Sequence, residues 1–269
     1  MQNNPLCEID ILDEKIQEKI QRDDLKDGLG KYIYLINEFC DKEMNVLEGE
    51  RSVQFQEVYI DFFQLFDRGL STEKQKESCL KYFEVMQDLK TNPKFAQKYM
   101  GDGCENTAFK MVLQRLYPIQ EKVEKSFSSK LLSMINPVDR PPWDSVVKGN
   151  LKKFGILEAL GIKVPPDTLD KDDKDRNVAK KICAWDTFYT KICELYKDFV
   201  NRKTEARKNW MNLFDEIFDE WYKDYFLNET NDAKWLVWLR KKYFAKQDLR
   251  RSITDVKIID LILWQIREK

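Results

Sequence analysis

Ser126-Phe-Ser-Ser-Lys-Leu-Leu-Ser-Met-Ile-Asn-Pro-Val-Asp-Arg-Pro-Pro-Trp-Asp-Ser-Val-Val147 reads as a helix, a proline corner and the opening of a second helix. Phe127, Leu131, Met134 and Ile135 recur at i, i+4, i+7 and i+8, the spacing of one helix face. Pro137, Pro141 and Pro142 forbid its continuation, because each removes a backbone donor and fixes φ. Asp144 then stands where a carboxylate caps a helix N-terminus, and helical spacing resumes from Trp143 to Phe154.

The same period extends outward over most of the chain. Ile9, Ile11, Leu12, Ile16 and Ile20 predict a first helix, and Tyr32, Ile33, Leu35, Ile36 and Phe39 a second after an Asp27-Gly-Leu-Gly30 break. Further helices are predicted over about 53–67, from an N-cap at Ser71 to about Leu89, over 107–117 up to Pro118, and over 119–134. Asn92-Pro93 reads as a turn and Gly101–Thr107 as a loop. Beyond 161, helices are predicted over 176–200, 204–227 and 232–245, with a last one from Ser252 or Thr254. The expected fold is all-α, a multi-helix globular protein. Its expected parts are a helical region 1–160 carrying the Lys130/Asp144 segment, a loop or linker 161–176 with a Pro-Pro pair and a dense charge run, and an aromatic-rich helical region 177–269 packed against the first.

Composition narrows the chemistry. The 269 residues include no histidine, which excludes Ser-His-Asp and Cys-His relays and every histidine-containing metal site. Catalysis would fall to Asp, Glu, Lys, Tyr, Cys or a cofactor, and no particular cofactor or metal site is indicated. Six widely spaced cysteines without a CxxC suit reduced thiols in a cytoplasmic protein. No apolar run approaches 18 residues and the first ten lack a basic start and apolar core, so neither a membrane span nor a secretory signal is expected.

The formal net charge is only −1, but seven basic residues fall between Lys234 and Arg251 against the single acid Asp248. Arg240, Lys241, Lys242, Lys246, Arg250 and Arg251 are therefore candidate phosphate contacts, as is Arg140 in the proline corner; a solvated helix surface is the alternative. Asp215, Glu216, Asp219 and Glu220 share one helix side and read as salt-bridged surface. Asp170, Asp172, Asp173 and Asp175 lack the spacing of a calcium loop.

Lys130 and Asp144 are the candidate catalytic pair. Lys130 borders the apolar stripe, where partial burial would lower its pKa and make the amine a better nucleophile; alternatively it reaches past the stripe to solvent. Asp144 could stabilise an oxocarbenium-like sugar or activate water, or serve only as a helix cap.

Ser126-Phe-Ser-Ser-Lys130, Asn136-Pro137 and Trp143-Asp-Ser-Val146 resemble a segment of uncharacterised bacterial helical proteins distantly similar to the helix-hairpin-helix DNA glycosylase superfamily. Lys257-Ile-Ile-Asp260-Leu-Ile-Leu-Trp264 is similar to their closing helix. The resemblance implies two packed helical lobes that bind double-stranded DNA, with Lys130 attacking the sugar C1′ and Asp144 supporting cleavage of the N-glycosidic bond. A Leu-Pro-Gly-Val-Gly-type hairpin does not precede Lys130, and Tyr117-Pro118-Ile119 stands in that region. A noncatalytic helical protein that binds a protein partner or DNA is the second reading.

Overall fold

Thirteen α-helices form among the residues that the computed structural model describes, namely 4–63, 73–92, 108–120, 125–166 and 174–266. They are α1 (Glu14–Gln17), α2 (Arg22–Cys40), α3 (Glu50–Phe63), α4 (Glu73–Thr91), α5 (Ala108–Gln120), α6 (Lys125–Ile135), α7 (Ser145–Lys153), α8 (Ile156–Ala159), α9 (Lys174–Asn201), α10 (Glu205–Trp221), α11 (Lys234–Lys242), α12 (Lys246–Arg251) and α13 (Asp255–Gln265). The described residues hold no strand; outside the helices, Ile20 and Ile266 form one isolated antiparallel bridge. Among the described residues no helix is long and apolar enough to cross a membrane. The all-α expectation holds. Ser71, Gly101–Thr107, Asp170, Asp172 and Asp173 lie outside the described residues.

The last helix organises the rest. Val256 to Leu263 of α13 are all buried, the pattern of a helix surrounded on every side. It packs against α2, α7, α9 and α10, so elements from both sides of the 161–176 segment share one hydrophobic core running from Leu6 to Ile266. Thr254 caps α13 through its hydroxyl, which accepts from Lys257 N–H. At the other end, Asn150 Nδ2 donates to the carbonyls of Leu263 at 2.6 Å and Ile266 at 2.8 Å, satisfying acceptors that a helix terminus leaves open.

Three local expectations change. Ile9, Ile11 and Ile20 are buried as their apolarity requires, but the segment is a 3-10 turn at Pro5–Glu8 and a single helical turn at α1. Asn4 Nδ2 ties it to Leu195 O at 2.9 Å, and the Asp10 and Asp13 carboxylates accept from N–H groups two residues on, a local bonding that competes with helix. The Gly28/Gly30 pair does not break α2. A Cβ at Gly30 would lie 2.3 Å from the Trp235 ring, so this glycine admits an indole against the helix. Pro118 lies inside α5 rather than ending it, close enough to Gln120 that its missing N–H disturbs only the last turn.

Candidate functional site

Two hydroxyl contacts set the proline corner against its neighbours. Ser129 Oγ accepts from Trp143 N–H at 2.8 Å and donates to Ser126 O at 2.8 Å, fastening the corner to α6. From the far side Tyr189 of α9 donates its phenol proton to Pro141 O at 2.8 Å. The corner thus delivers Asp144 to the residue after Ser129, Lys130. Asp144 caps α7, its Oδ1 accepting from Val146 and Val147 N–H, each at 2.9 Å.

Lys130 and Asp144 line a common cleft of about 390 Å³ with Phe63, Lys125, Ser126, Trp143, Ser145, Val146, Lys148 and Trp264. That volume is in the range of ligand pockets, roughly 300–1,000 Å³. The lining carries three lysines against one aspartate, so the cleft is electropositive.

Lys130 is buried, at 6% exposure, so the snorkelling alternative fails. Its Nζ donates to Phe63 O at 2.7 Å, a carbonyl left open at the C-terminus of α3. Burial holds its pKa below the ordinary lysine value and Lys257 adds to this, while Asp144 and Asp260 oppose it. A lysine so placed keeps more neutral amine near pH 7 than a surface lysine does.

A smaller recess, about 10 Å³, is bounded by Phe62, Phe63, Lys130, Pro142, Asp144, Lys257, Asp260 and Trp264. Lys130, Asp144, Phe63 and Trp264 border both spaces. Lys257 Nζ donates to Asp260 Oδ2 at 2.7 Å, and both side chains are about 5% exposed or less. Asp260 Oδ1 is buried and takes no hydrogen bond. Burial pushes the Asp260 carboxyl up to about 6 against the opposing pull of Lys257, with Asp144 and Lys130 as smaller influences of opposite sign. The Lys257 ammonium also lies over the rings of Tyr32, Phe62 and Phe63, at 4.9, 5.2 and 5.8 Å from their centroids.

No protein-family model, curated protein or solved structure matches this chain.

The other candidate residues lie elsewhere. Arg140 does not line the cleft; its Nη1 turns to Cys193 Sγ of α9 at 3.6 Å. Arg240 donates to the carbonyls of Tyr225, Phe226, Asn228 and Asn231, closing the π-helical turn Tyr222–Phe226 that follows α10. Arg250 pairs with Asp215 at 2.7 Å, Lys246 with Asp219, and Arg251 with Asp248 at 3.2 Å. Lys242 sits over the Trp238 ring and Lys241 is exposed. Glu220 pairs with Arg22 at 2.9 Å. Two residues of the basic run, Lys246 and Arg250, thus pair with the acidic side of α10. Among the described residues no group of three or more acidic or cysteine side chains is placed to hold a metal, and Cys7, Cys40, Cys79, Cys183 and Cys193 are free thiols.

Lys257 and Asp260 line the recess although neither is among the candidate residues expected from sequence. Their signal was present: two charges at i and i+3 inside Val256–Leu263, a run otherwise wholly apolar. A buried ion pair gains little stability over an apolar pair of similar volume.

Proposed function

We propose that the cleft is a nucleoside-binding site for cleavage of an N-glycosidic bond in DNA, with Lys130 as the amine nucleophile and Asp144 as the carboxylate facing the sugar. The observation that carries this reading is the burial of the Lys130 amine at the floor of an electropositive cleft that Asp144 also lines. The neutral amine attacks C1′ while the C1′–N bond breaks. The base leaves with the bond electrons and takes one proton shed by the amine; the C1′–O4′ bond then breaks, O4′ takes the amine's second proton, and a Schiff base joins Lys130 Nζ to C1′. Asp144 Oδ1 is fixed by the α7 N-terminus, which holds the carboxyl group in place to stabilise positive charge developing on the sugar. Trp143 and Trp264 supply aromatic wall for a base taken out of the stack, and Lys125 and Lys148 supply cations for flanking phosphates.

The test is base release and strand scission on duplexes that carry oxidised, alkylated, deaminated or abasic sites, comparing the protein with Lys130→Ala. Release that depends on Lys130 supports the proposal; release by neither protein from any of these duplexes removes it.

A second reading is favoured by two of the same contacts. Lys130 Nζ caps α3 through Phe63 O, and Asp144 Oδ1 caps α7. On that reading the pair is structural and the cleft binds nucleic acid or a protein partner without chemistry.

A further inference from the structure

We propose that Asp260, held by Lys257, is the proton-accepting partner of Lys130 across the recess that both line; this rests on the reading of Lys130 as a nucleophile. The geometry supplies three reasons. Asp260 borders the recess together with Lys130 and does not border the cleft. Its Oδ2 is occupied by Lys257 while Oδ1 has no hydrogen-bond partner, leaving one basic position on a carboxylate only 3% exposed. The recess of about 10 Å³ is of the size that holds one water, which would have polar neighbours in Lys130, Asp144 and Asp260.

The transfer balances. The Lys130 ammonium gives one proton through that water to Asp260 Oδ1, leaving a neutral amine and a neutral carboxylic acid, and the net charge of the site does not change. Neutralising a buried cation and a buried anion together removes two desolvation penalties, which offsets the loss of their attraction. Besides Asp260, Lys257 Nζ faces the rings of Tyr32, Phe62 and Phe63, contacts that do not depend on the Asp260 charge. The raised Asp260 carboxyl and the lowered Lys130 ammonium bring donor and acceptor toward each other in proton affinity.

The charged and titratable groups around Asp260 come from every side. Lys257 shares its helix, Lys130 comes from α6, Asp144 from the start of α7, Tyr32 from α2, and Tyr189 and Tyr196 from α9. From α10, Arg207 meets the other end of α13 at Asp255. The three phenols are pushed above their usual range by burial and stay neutral through pH 5–9. Lys130 and Asp260 are left to share one proton.

A shared proton gives a distinctive pH dependence. Between the two titrations of such a pair, the fraction of neutral amine is set by the internal equilibrium and not by pH. The experiment is brief reductive methylation of the full protein with formaldehyde and cyanoborohydride from pH 5 to 9, with Lys130 modification read by peptide mass spectrometry. No nucleic acid is used, so the result is independent of whether the cleft cleaves DNA. In the wild type, Lys130 reactivity should show a shelf, changing less than about threefold between pH 6.5 and 8. In Asp260→Asn the shelf should vanish and reactivity should climb about tenfold per pH unit to a single midpoint. Should Asp260→Asn fail to fold, Lys257→Met carries the test: loss of the neighbouring cation raises the Asp260 carboxyl, and the lower edge of the shelf moves up by about one pH unit or more. Identical profiles in wild type and variant, or a Lys130 that is unmodified at every pH, overturn the proposal.

Discussion

Lys130 Nζ donates to the backbone carbonyl of Phe63 at 2.7 Å, so one amine both closes helix α3 and faces the cleft. The contact recovers part of the cost of burial, and the lowered pKa measures what remains. A lysine whose folded pKa lies below its unfolded value binds fewer protons in the native state. Its burden on stability is then full below the folded pKa and disappears as pH rises toward about 10.4, the unfolded value. Lys130→Met should therefore gain stability relative to the wild type at pH 6–7 and lose that gain by pH 10. Paired urea titrations across this range check it; a difference independent of pH contradicts it.

Asp144 separates a cap from a charge. Asparagine caps a helix about as well as aspartate, whereas alanine in its place costs about 1 kcal/mol. Asp144→Asn should remain within about 0.5 kcal/mol of the wild type and Asp144→Ala should fall by about 1 kcal/mol, measured by thermal unfolding. If both retain base release at the wild-type rate, the carboxylate serves only as a cap. A loss of tenfold or more in Asp144→Asn, with stability retained, assigns work to the charge.

Asp260 moves the other way with pH. Its folded pKa of about 6 lies above the unfolded aspartate value near 3.9, so the native state binds the extra proton between those values. The penalty is present above pH 6 and relieved as pH falls through 6 toward 4. Relative to Asp260→Asn, the wild type should gain of order 2 kcal/mol between pH 7 and pH 4. Referring each measurement to the variant cancels the surface carboxylates, whose paired forms lose stability over the same interval. A flat difference would place the Asp260 carboxyl at its ordinary value.

The two glycines of α2 should respond in opposite directions. At Gly28 an added Cβ meets the Phe62 ring at an ordinary 3.5 Å, so Gly28→Ala should gain up to about 1 kcal/mol from helix propensity. At Gly30 the Cβ would strike Trp235 at 2.3 Å, and Gly30→Ala should lose about 1–3 kcal/mol as the indole is displaced. Thermal unfolding with tryptophan fluorescence measures both changes.

Those glycines also mark how far the sequence could be read. The all-α class and the span of α9, α10 and α13 were legible because apolar residues recur at helical spacing and Thr204 and Thr254 cap as their residue type suggests. Gly30 read as a break because its reason is Trp235, a residue more than two hundred positions away. Local carboxylates at Asp10 and Asp13 ended a helix that the isoleucine spacing alone predicts. The Lys130 and Asp144 juxtaposition was legible from the proline corner, whereas the Lys257–Asp260 pair at the recess was not, since its importance depends on α13 lying at the centre of the fold. The partners of Lys246 and Arg250 in the basic run were not legible for the same reason: Asp215 and Asp219 come from another helix.

The central claim is that Lys130 is the amine that reacts in the cleft. Borohydride trapping on a duplex bearing an abasic site tests it most directly, with the crosslinked peptide identified by mass spectrometry. The account predicts a covalent adduct on Lys130, reduced from the Schiff base and lost in Lys130→Ala. An adduct on another lysine, or none under conditions where the folded protein binds the duplex, would contradict it.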